Sequence, residues 1–511
     1  MSISMNKITY LALLTSVLTS NLVHSTEVAD FSTLTKFVEQ AKATTQLPSG
    51  TAIAIIKDGK IIYQHNFGFS DIAAKKTVTN DTAFYVASTT KSFYALSTLI
   101  DIENGQLKAT DSLATLFPKG AFSQLTPAVT NQITVKDLLV HGSGIENEDL
   151  GWALAYTGIH DLSSRQKMLF EQTTELEKTK HGEFDYSNFG YNLLSVWSDS
   201  HNKITWQEKI QNNVFTPLNM THTSSIMSEA RQKNWDVAKP YSFINSMTHK
   251  ISDPLYLEKV DNTMHSAGGM VTSASDMAQM VIAQLNQGKI NGKQVIPANI
   301  IKTSQTQQIQ TEGKYDDFIR DGYAWGWYTG DYHGERMLHH LGGFAGTHAL
   351  ISFMPDKNIG LVVLNNEDYI SRQVTGAISH IAYSILLEQS DGTVEAQVGL
   401  DKVTSIVEKL PAGLAKHKAK LASREWLLSN DKQDYSGKYA HPTLGNIEVR
   451  LDRDENFTLT WGQLKTLATA FTKPNSIRTD FIMFNGRPLQ FNQVDNNIAS
   501  LSYEGNTFTK Q

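Results

Sequence analysis

The sequence predicts an α/β (α+β) fold. An antiparallel sheet is built from both ends of a large first domain, with a helical insertion, and a small C-terminal antiparallel β-barrel follows. Three observations carry this. A hairpin pattern opens the first domain, and aromatic or β-branched strand patterns return between residues 323 and 365. The stretch from 133 to about 290 has mostly helical periodicity, so the two ends supply one sheet and the middle supplies helices. Beyond residue 435, short apolar runs alternate with polar turns at regular spacing, the pattern of a small closed barrel.

In chain order, residues 29–47 read as a helix, with Phe31, Leu34, Phe37, Val38 and Ala41 on one side. Residues 51–57 and 60–63 flank Asp58-Gly59, a hairpin turn pair. A helix beginning near Ser88 runs to Asn104-Gly105, where glycine closes it. Residues 323–329, 347–353 and 359–365 read as strands, and 378–388 as a final helix. Residues 390–432 are rich in lysine and glutamate, with two helical patterns split by Pro411. Strands are expected at 446–451, 457–461, 465–471, 478–484, 489–494, 498–503 and 507–510. The resulting division is a signal peptide at 1–25, the first domain at 26–390, a helical linker at 391–432 and the barrel at 433–511.

Composition narrows the partners. A formal net charge of −6 over 511 residues gives no basic footprint, which argues against nucleic acid. Lys7 is the only charged residue in the first 25. It precedes an apolar run from Ile8 to Leu18, and Val23-His24-Ser25 offers a cleavage site before Thr26. This pattern predicts export, to a periplasmic or secreted location. There is no cysteine, so disulfides and a lipidated cysteine are excluded. No later segment has 18 unbroken apolar residues, so no stable membrane anchor is expected.

Three short motifs carry candidate chemistry. In Ser88-Thr-Thr-Lys91, a serine at a helix start and a lysine three residues on share one face. The hydroxyl then has a potential base beside it, near the positive end of a helix. Ser-x-x-Lys alone is weak, since Ser164…Lys167, Ser200…Lys203 and Ser429…Lys432 also match. Phe84, Tyr85, Val86, Phe93 and Leu96 single out the first, because a lysine buried among them loses solvation and favours its neutral form. Tyr186-Ser187-Asn188 places a phenol and an amide two apart in a loop; the alternative is a turn in which Ser187 or Asn188 caps the next helix. His340-Leu341-Gly342-Gly343 combines an imidazole with glycines that let a ligand approach the backbone. A glycine-rich strand corner is the alternative there, and alternation leaves open whether His339 or His340 points inward.

Together these motifs resemble those of the penicillin-recognising serine hydrolases, in the class C β-lactamase-like branch that includes D-alanyl-D-alanine carboxypeptidases, D-aminopeptidases and esterases. That family's order is Ser-x-x-Lys, Tyr-x-Asn, Lys/His-x-Gly. Residues 133–145, 266–278 and 354–366 resemble further family segments, and the likeness covers about residues 30–390. It implies that Ser88 is the nucleophile and that Lys91 and Tyr186 share acid–base work. It also implies that Asn188 and His340 contact substrate, and that Gly342 and Gly343 bring backbone to it. The N–H groups of Ser88 and Gly343 would form an oxyanion hole. No metal or cofactor is implied, and the other histidines, His141 among them, are read as structural or solvated. Histidine in place of the third-motif lysine shifts the expectation from β-lactamase towards peptidase or esterase.

The expected activity is therefore an exported serine hydrolase that cleaves an amide or ester through an acyl-Ser88 intermediate, on a small-molecule or peptide substrate. Peptides with D-residues lead. The alternatives are a carboxylesterase or weak β-lactamase and, in another class, a penicillin-binding sensor that acylates without turnover. Homo-oligomerisation stays open. The segment from Tyr435-Ser-Gly-Lys-Tyr onward resembles a lipocalin-like barrel.

Overall fold

The computed structural model describes residues 29–201, 204–247, 249–482 and 485–511. The expected signal peptide at 1–25 lies outside the described residues. The first helix, α1 (Ser32–Thr45), buries Leu34, Phe37, Val38 and Ala41, as its periodicity predicts.

The central sheet has eight strands: β1 (Thr51–Lys57), β2 (Lys60–Phe67), β3 (Ile309–Tyr315), β4 (Phe318–Tyr323), β5 (Tyr328–Tyr332), β6 (Glu335–Phe344), β7 (Thr347–Met354) and β8 (Ile359–Asn365). Their order is β3-β4-β5-β6-β7-β8-β1-β2, antiparallel throughout, so the chain's early hairpin pairs with its late strands. Asp58 and Gly59 both have positive φ (52° and 70°), the geometry an Asp-Gly hairpin turn provides. Strands β1 and β8 read as unbroken apolar runs because both faces are covered. Ala52, Ala54 and Ile56 join one apolar cluster, while Ile53 and Ile55 join another with α1.

Residues 323–329 are not one strand. Tyr323 ends β4, Tyr328 begins β5, and Gly326 turns between them at φ 79°. The aromatic content of Tyr-Ala-Trp-Gly-Trp-Tyr reads as strand, but a glycine backbone in close contact with Ser92 decides the local path. The Gly-rich motif is likewise no corner: His340 to Gly343 lie within β6.

The insertion includes α2 (Thr90–Glu103), α3 (Glu148–Tyr156), α4 (Phe189–His201) and α5 (Ala274–Leu285). After α6 (Ser371–Leu386), residues 393–422 form one 30-residue helix, α7 (Thr393–Ala422), with Pro411 inside it. The sequence predicts a split at Pro411; the helix instead runs through. It is no free linker, since Val403 is buried and Gly399 packs against Ala377 and Phe37.

The C-terminal strands are β9 (Gly437–His441), β10 (Gly445–Leu451), β11 (Phe457–Trp461), β12 (Leu464–Leu467), β13 (Thr469–Ala470), β14 (Ser476–Thr479), β15 (Arg487–Val494), β16 (Asn497–Tyr503) and β17 (Asn506–Lys510). They form one nine-stranded sheet, β12-β11-β10-β9-β17-β16-β15-β14-β13. Its edge strands are consecutive in the chain, separated by Ala468, so the sheet curls into a nearly closed barrel. The expected strand at 465–471 is therefore two strands on opposite edges. The expected strand at 478–484 begins earlier and ends at Thr479; residues 483 and 484 lie outside the described residues.

Candidate active site

Ser88 sits in a 3-10 turn (Ala87–Thr89) that feeds directly into α2. Thr89 and Thr90 donate their hydroxyls to the carbonyls of Val86 and Ala87, which fixes the turn. Ala87 has φ 45°, a left-handed conformation that costs a residue with a Cβ roughly 1–2 kcal/mol. Such strain beside a nucleophile is common at functional sites. The α2 start is pinned from below by Ser92, whose hydroxyl donates to the Gly326 carbonyl at 2.6 Å.

Lys91 is completely buried, and burial pushes its ammonium well below the ordinary lysine range. Its Nζ lies 2.8 Å from Asn188 Oδ1, 2.8 Å from the Ala267 carbonyl and 3.2 Å from Ser88 Oγ. A neutral amine has two N–H bonds and one lone pair. Donation to Asn188 and Ala267 uses both N–H bonds and leaves the lone pair for the Ser88 hydroxyl. The arrangement can therefore take the serine proton.

Tyr186 closes the other side. Its ring lies 4.9 Å from Lys91 Nζ, and both it and Ser88 line the same cavity. Burial raises its phenol well above the ordinary value, with nearby Tyr328 adding to this, while the Ser88 contact and Arg320 oppose it. Tyr186 is thus a phenol that holds its proton at neutral pH. Ser187 accepts from the Phe189 N–H and caps α4. The loop divides its labour: Ser187 starts the helix while Asn188 holds Lys91.

Gly342 and Gly343 take different positions. A Cβ on Gly342 would lie 1.9 Å from the Val86 carbonyl, so β6 packs directly on the turn that carries Ser88. Gly343 faces the cavity beside Ser88, with nothing within 4 Å of where its Cβ would be. Gly342→Ala is expected to force these segments apart and cost about 1–3 kcal/mol. Thermal unfolding measures this, and an unchanged melt would show that the approach is not that close.

His340 stands behind the cavity rather than on its wall. Its Nδ1–H donates to the Leu341 carbonyl at 2.8 Å, and its Nε2 accepts from Tyr323 at 3.1 Å. Burial and the neighbouring Lys91 hold it well below the ordinary histidine range, so it is neutral. His339 is equally buried and accepts from Arg320 through Nε2 at 3.0 Å, so neither histidine reaches the cavity.

Other contributors carry no motif. His141, at φ 63°, accepts from the Ser187 N–H at 3.2 Å and packs its ring 4.5 Å from Tyr186. Of the structural and solvated readings its sequence allows, it takes the first: it is buried, and what it supports is the Tyr186 loop. Ala267 supplies only a carbonyl. Its position in Ser266-Ala-Gly-Gly, a segment recognisable in the sequence, is the one available signal.

The cavity above Ser88 has a volume of about 480 Å³. Trp152, Tyr156 and Phe344 form apolar walls, and Glu146 and Glu148 are the charged residues on its lining. Burial and the acids around it, Glu148 first, hold the Glu146 carboxyl above its ordinary value. No lysine or arginine is among the described residues that line it. Among the described residues, Asp316, Asp317 and His380 are one group spaced to hold a metal, and they lie away from this cavity. No helix among the described residues is long and apolar enough to cross a membrane.

The sheet, the helical insertion and the Ser–Lys–Tyr cluster around buried Lys91 define a class, and comparison with known proteins agrees. The β-lactamase family model matches residues 34–382, and the chain belongs to that family. Protein flp of Staphylococcus aureus (strain NCTC 8325 / PS 47) is 26% identical over 347 residues, 66% of this chain. The match spans 64% of that relative's length, less than two thirds. Unguisins hydrolase ungD' of Aspergillus campestris (strain IBT 28561) is 23% identical over 421 residues, 80% of this chain and 75% of that protein. Among solved structures, the octameric penicillin-binding protein homologue from Pyrococcus abyssi superposes with a TM-score of 0.58 at 21% identity. It covers 94% of this chain and 100% of that one, a likeness of fold.

Proposed function

We propose that this protein is an exported serine hydrolase that cleaves an amide or ester bond through an acyl-Ser88 intermediate, with D-residue-containing peptides as its leading substrates. The observation that carries the chemistry is the buried Lys91 nitrogen, 2.8 Å from both Asn188 Oδ1 and the Ala267 carbonyl and 3.2 Å from Ser88 Oγ, so that the neutral amine has its lone pair left for the serine. Ser88 Oγ attacks the substrate carbonyl carbon as its proton passes to Lys91. The N–H groups of Ser88 and Gly343 receive the developing oxyanion. As the intermediate collapses, the C–N or C–O bond breaks and Tyr186 gives its proton to the leaving group. Lys91 reprotonates Tyr186, and the amine is free again to activate water. Attack by that water on the acyl carbon releases the acid and restores Ser88.

The cavity's glutamates and the occupied, neutral His340 favour a neutral or cationic substrate over a β-lactam, which carries a carboxylate. The Aspergillus relative is named as a hydrolase, which favours turnover over a sensor that stays acylated. The octameric state named for the Pyrococcus homologue makes homo-oligomerisation a reasonable expectation here. The substrate reading is tested by turnover of D-amino-acid amides and D-peptides, short acyl nitrophenyl esters and a chromogenic cephalosporin, with Ser88→Ala as control. D-peptide turnover is expected to lead. Ester turnover without any amide turnover would replace the peptidase reading with a carboxylesterase.

The pH profile follows from Lys91. Its pKa is lowered, so the basic form is present from well below the ordinary lysine value of about 10.4 upward. Log kcat/KM is expected to rise with pH to a plateau, with its midpoint well under that value. A midpoint near 10 would show that Lys91 is an ordinary solvated ammonium.

A further inference from the structure

The cavity above Ser88 takes much of its wall from α3: Glu148, Gly151, Trp152, Ala155 and Tyr156 all face it. A nine-residue helix leaves its last carbonyls without partners inside the helix. Here those partners come from elsewhere. Buried Lys259 donates to the Ala155 carbonyl at 2.7 Å. The next two carbonyls are served by the barrel: the Gln463 side chain donates to Tyr156 O at 2.9 Å, and its backbone N–H to Thr157 O at 2.9 Å.

The turn that brings Gln463 there fits only without a side chain. Gly462 has φ 58°, and a Cβ on it would lie 2.1 Å from the Thr157 carbonyl. At the other end of α3, Asn506 of β17 donates to Asp149 Oδ1 at 2.9 Å. Between the two ends, Trp461 stacks on Trp152 with ring centroids 4.7 Å apart and planes 27° apart. From Trp152 the ring contacts continue through Tyr156 (5.2 Å) to Phe344 (5.0 Å) and Tyr85 (5.5 Å), beside Gly343 and Ser88. One apolar cluster accordingly runs from the first domain into the barrel.

We propose that the C-terminal barrel is a positioning element of the substrate pocket: it caps α3 at one end, ties it at the other and backs Trp152, so that barrel contacts set which bulky groups reach Ser88. This rests on the reading of the Ser88 cavity as the substrate pocket. Among the described residues the acylation machinery touches no barrel residue, so the barrel should govern selectivity and leave the intrinsic reactivity of Ser88 unchanged.

The test uses the full chain. Trp461 is packed inside the barrel, so Trp461→Ala risks unfolding it; the principal variant is Gln463→Ala combined with Asn506→Ala, and Trp461→Phe is a milder second. Two readouts are taken: hydrogen exchange of the α3 amides, and the rates at which a small alkyl fluorophosphonate and a bulky aryl phosphonate label Ser88. The double variant is expected to speed α3 exchange at least 10-fold. It should change the bulky-to-small labelling ratio at least 5-fold while the small probe stays within 2-fold of wild type. Trp461→Phe should fall between the two. Wild-type exchange in α3, or equal loss with both probes, would overturn the proposal. If neither probe labels the wild-type protein, the serine-hydrolase reading fails, and the exchange result still decides whether the barrel positions α3.

Discussion

Replacing Lys91 with methionine is expected to lower kcat/KM on the order of 10⁴-fold or more, the scale seen when a base acting as a unit with its nucleophile is lost. Lys91 is the group whose nitrogen faces Ser88 Oγ with both other contacts fixed. Methionine fills nearly the same buried volume, so the fold should survive and a thermal melt should stay close to wild type. Combining Lys91→Met with Ser88→Ala should cost little more than either alone, because the two side chains act in one step. Retention of a tenth or more of wild-type activity in Lys91→Met would mean another group takes the serine proton.

Tyr186→Phe is expected to lower turnover by about 10²–10⁴-fold, the range for a positioned proton donor. The ring is held by His141 at 4.5 Å and is nearly parallel to Tyr328 at 6.1 Å, so phenylalanine should keep its place and lose only the hydroxyl. Because burial holds the phenol protonated, its role falls on leaving-group departure. The loss should therefore be larger for an amide, whose amine must be protonated, than for a nitrophenyl ester, whose leaving group departs as an anion. Steady-state kinetics on both substrates checks this, and equal losses would assign Tyr186 to positioning alone.

The Ser–Lys–Tyr–Asn set, of which Lys91 is the buried member, was legible in the sequence because its chemistry resides in side chains at short fixed spacings. What single out Ser88 and Lys91 are the apolar residues around them; Lys167, in another Ser-x-x-Lys match, is exposed. The strand pairing of β1 with β8 was legible from apolar runs and an Asp-Gly turn. Other features depend on what tertiary contact allows. Ala267 contributes a backbone carbonyl, which any residue type would offer. His141 supports Tyr186 across 45 residues of sequence. The turn at Gly326 lies inside an aromatic run whose strand propensity conceals it, and Pro411 interrupts a hydrogen-bond ladder without ending α7. The third motif shows a different limit. The family resemblance implies that His340 contacts substrate, yet hydrogen bonds to Leu341 and Tyr323 occupy both ring nitrogens, and Gly342 serves a backbone approach. The aromatic path from Trp461 to Phe344 links residues more than 100 positions apart, and no local pattern announces it.

The central claim is that Ser88 becomes acylated. Intact-protein and peptide mass spectrometry after incubation with a fluorophosphonate, and separately with a mixed set of esters, D-peptides and β-lactams, reads this directly. The account predicts a stoichiometric phosphonyl adduct from the fluorophosphonate on the peptide containing Ser88 in the wild-type protein, turnover rather than a lasting adduct with the substrates, and neither in Ser88→Ala. Equal labelling of both proteins, or an adduct on another residue, would contradict it.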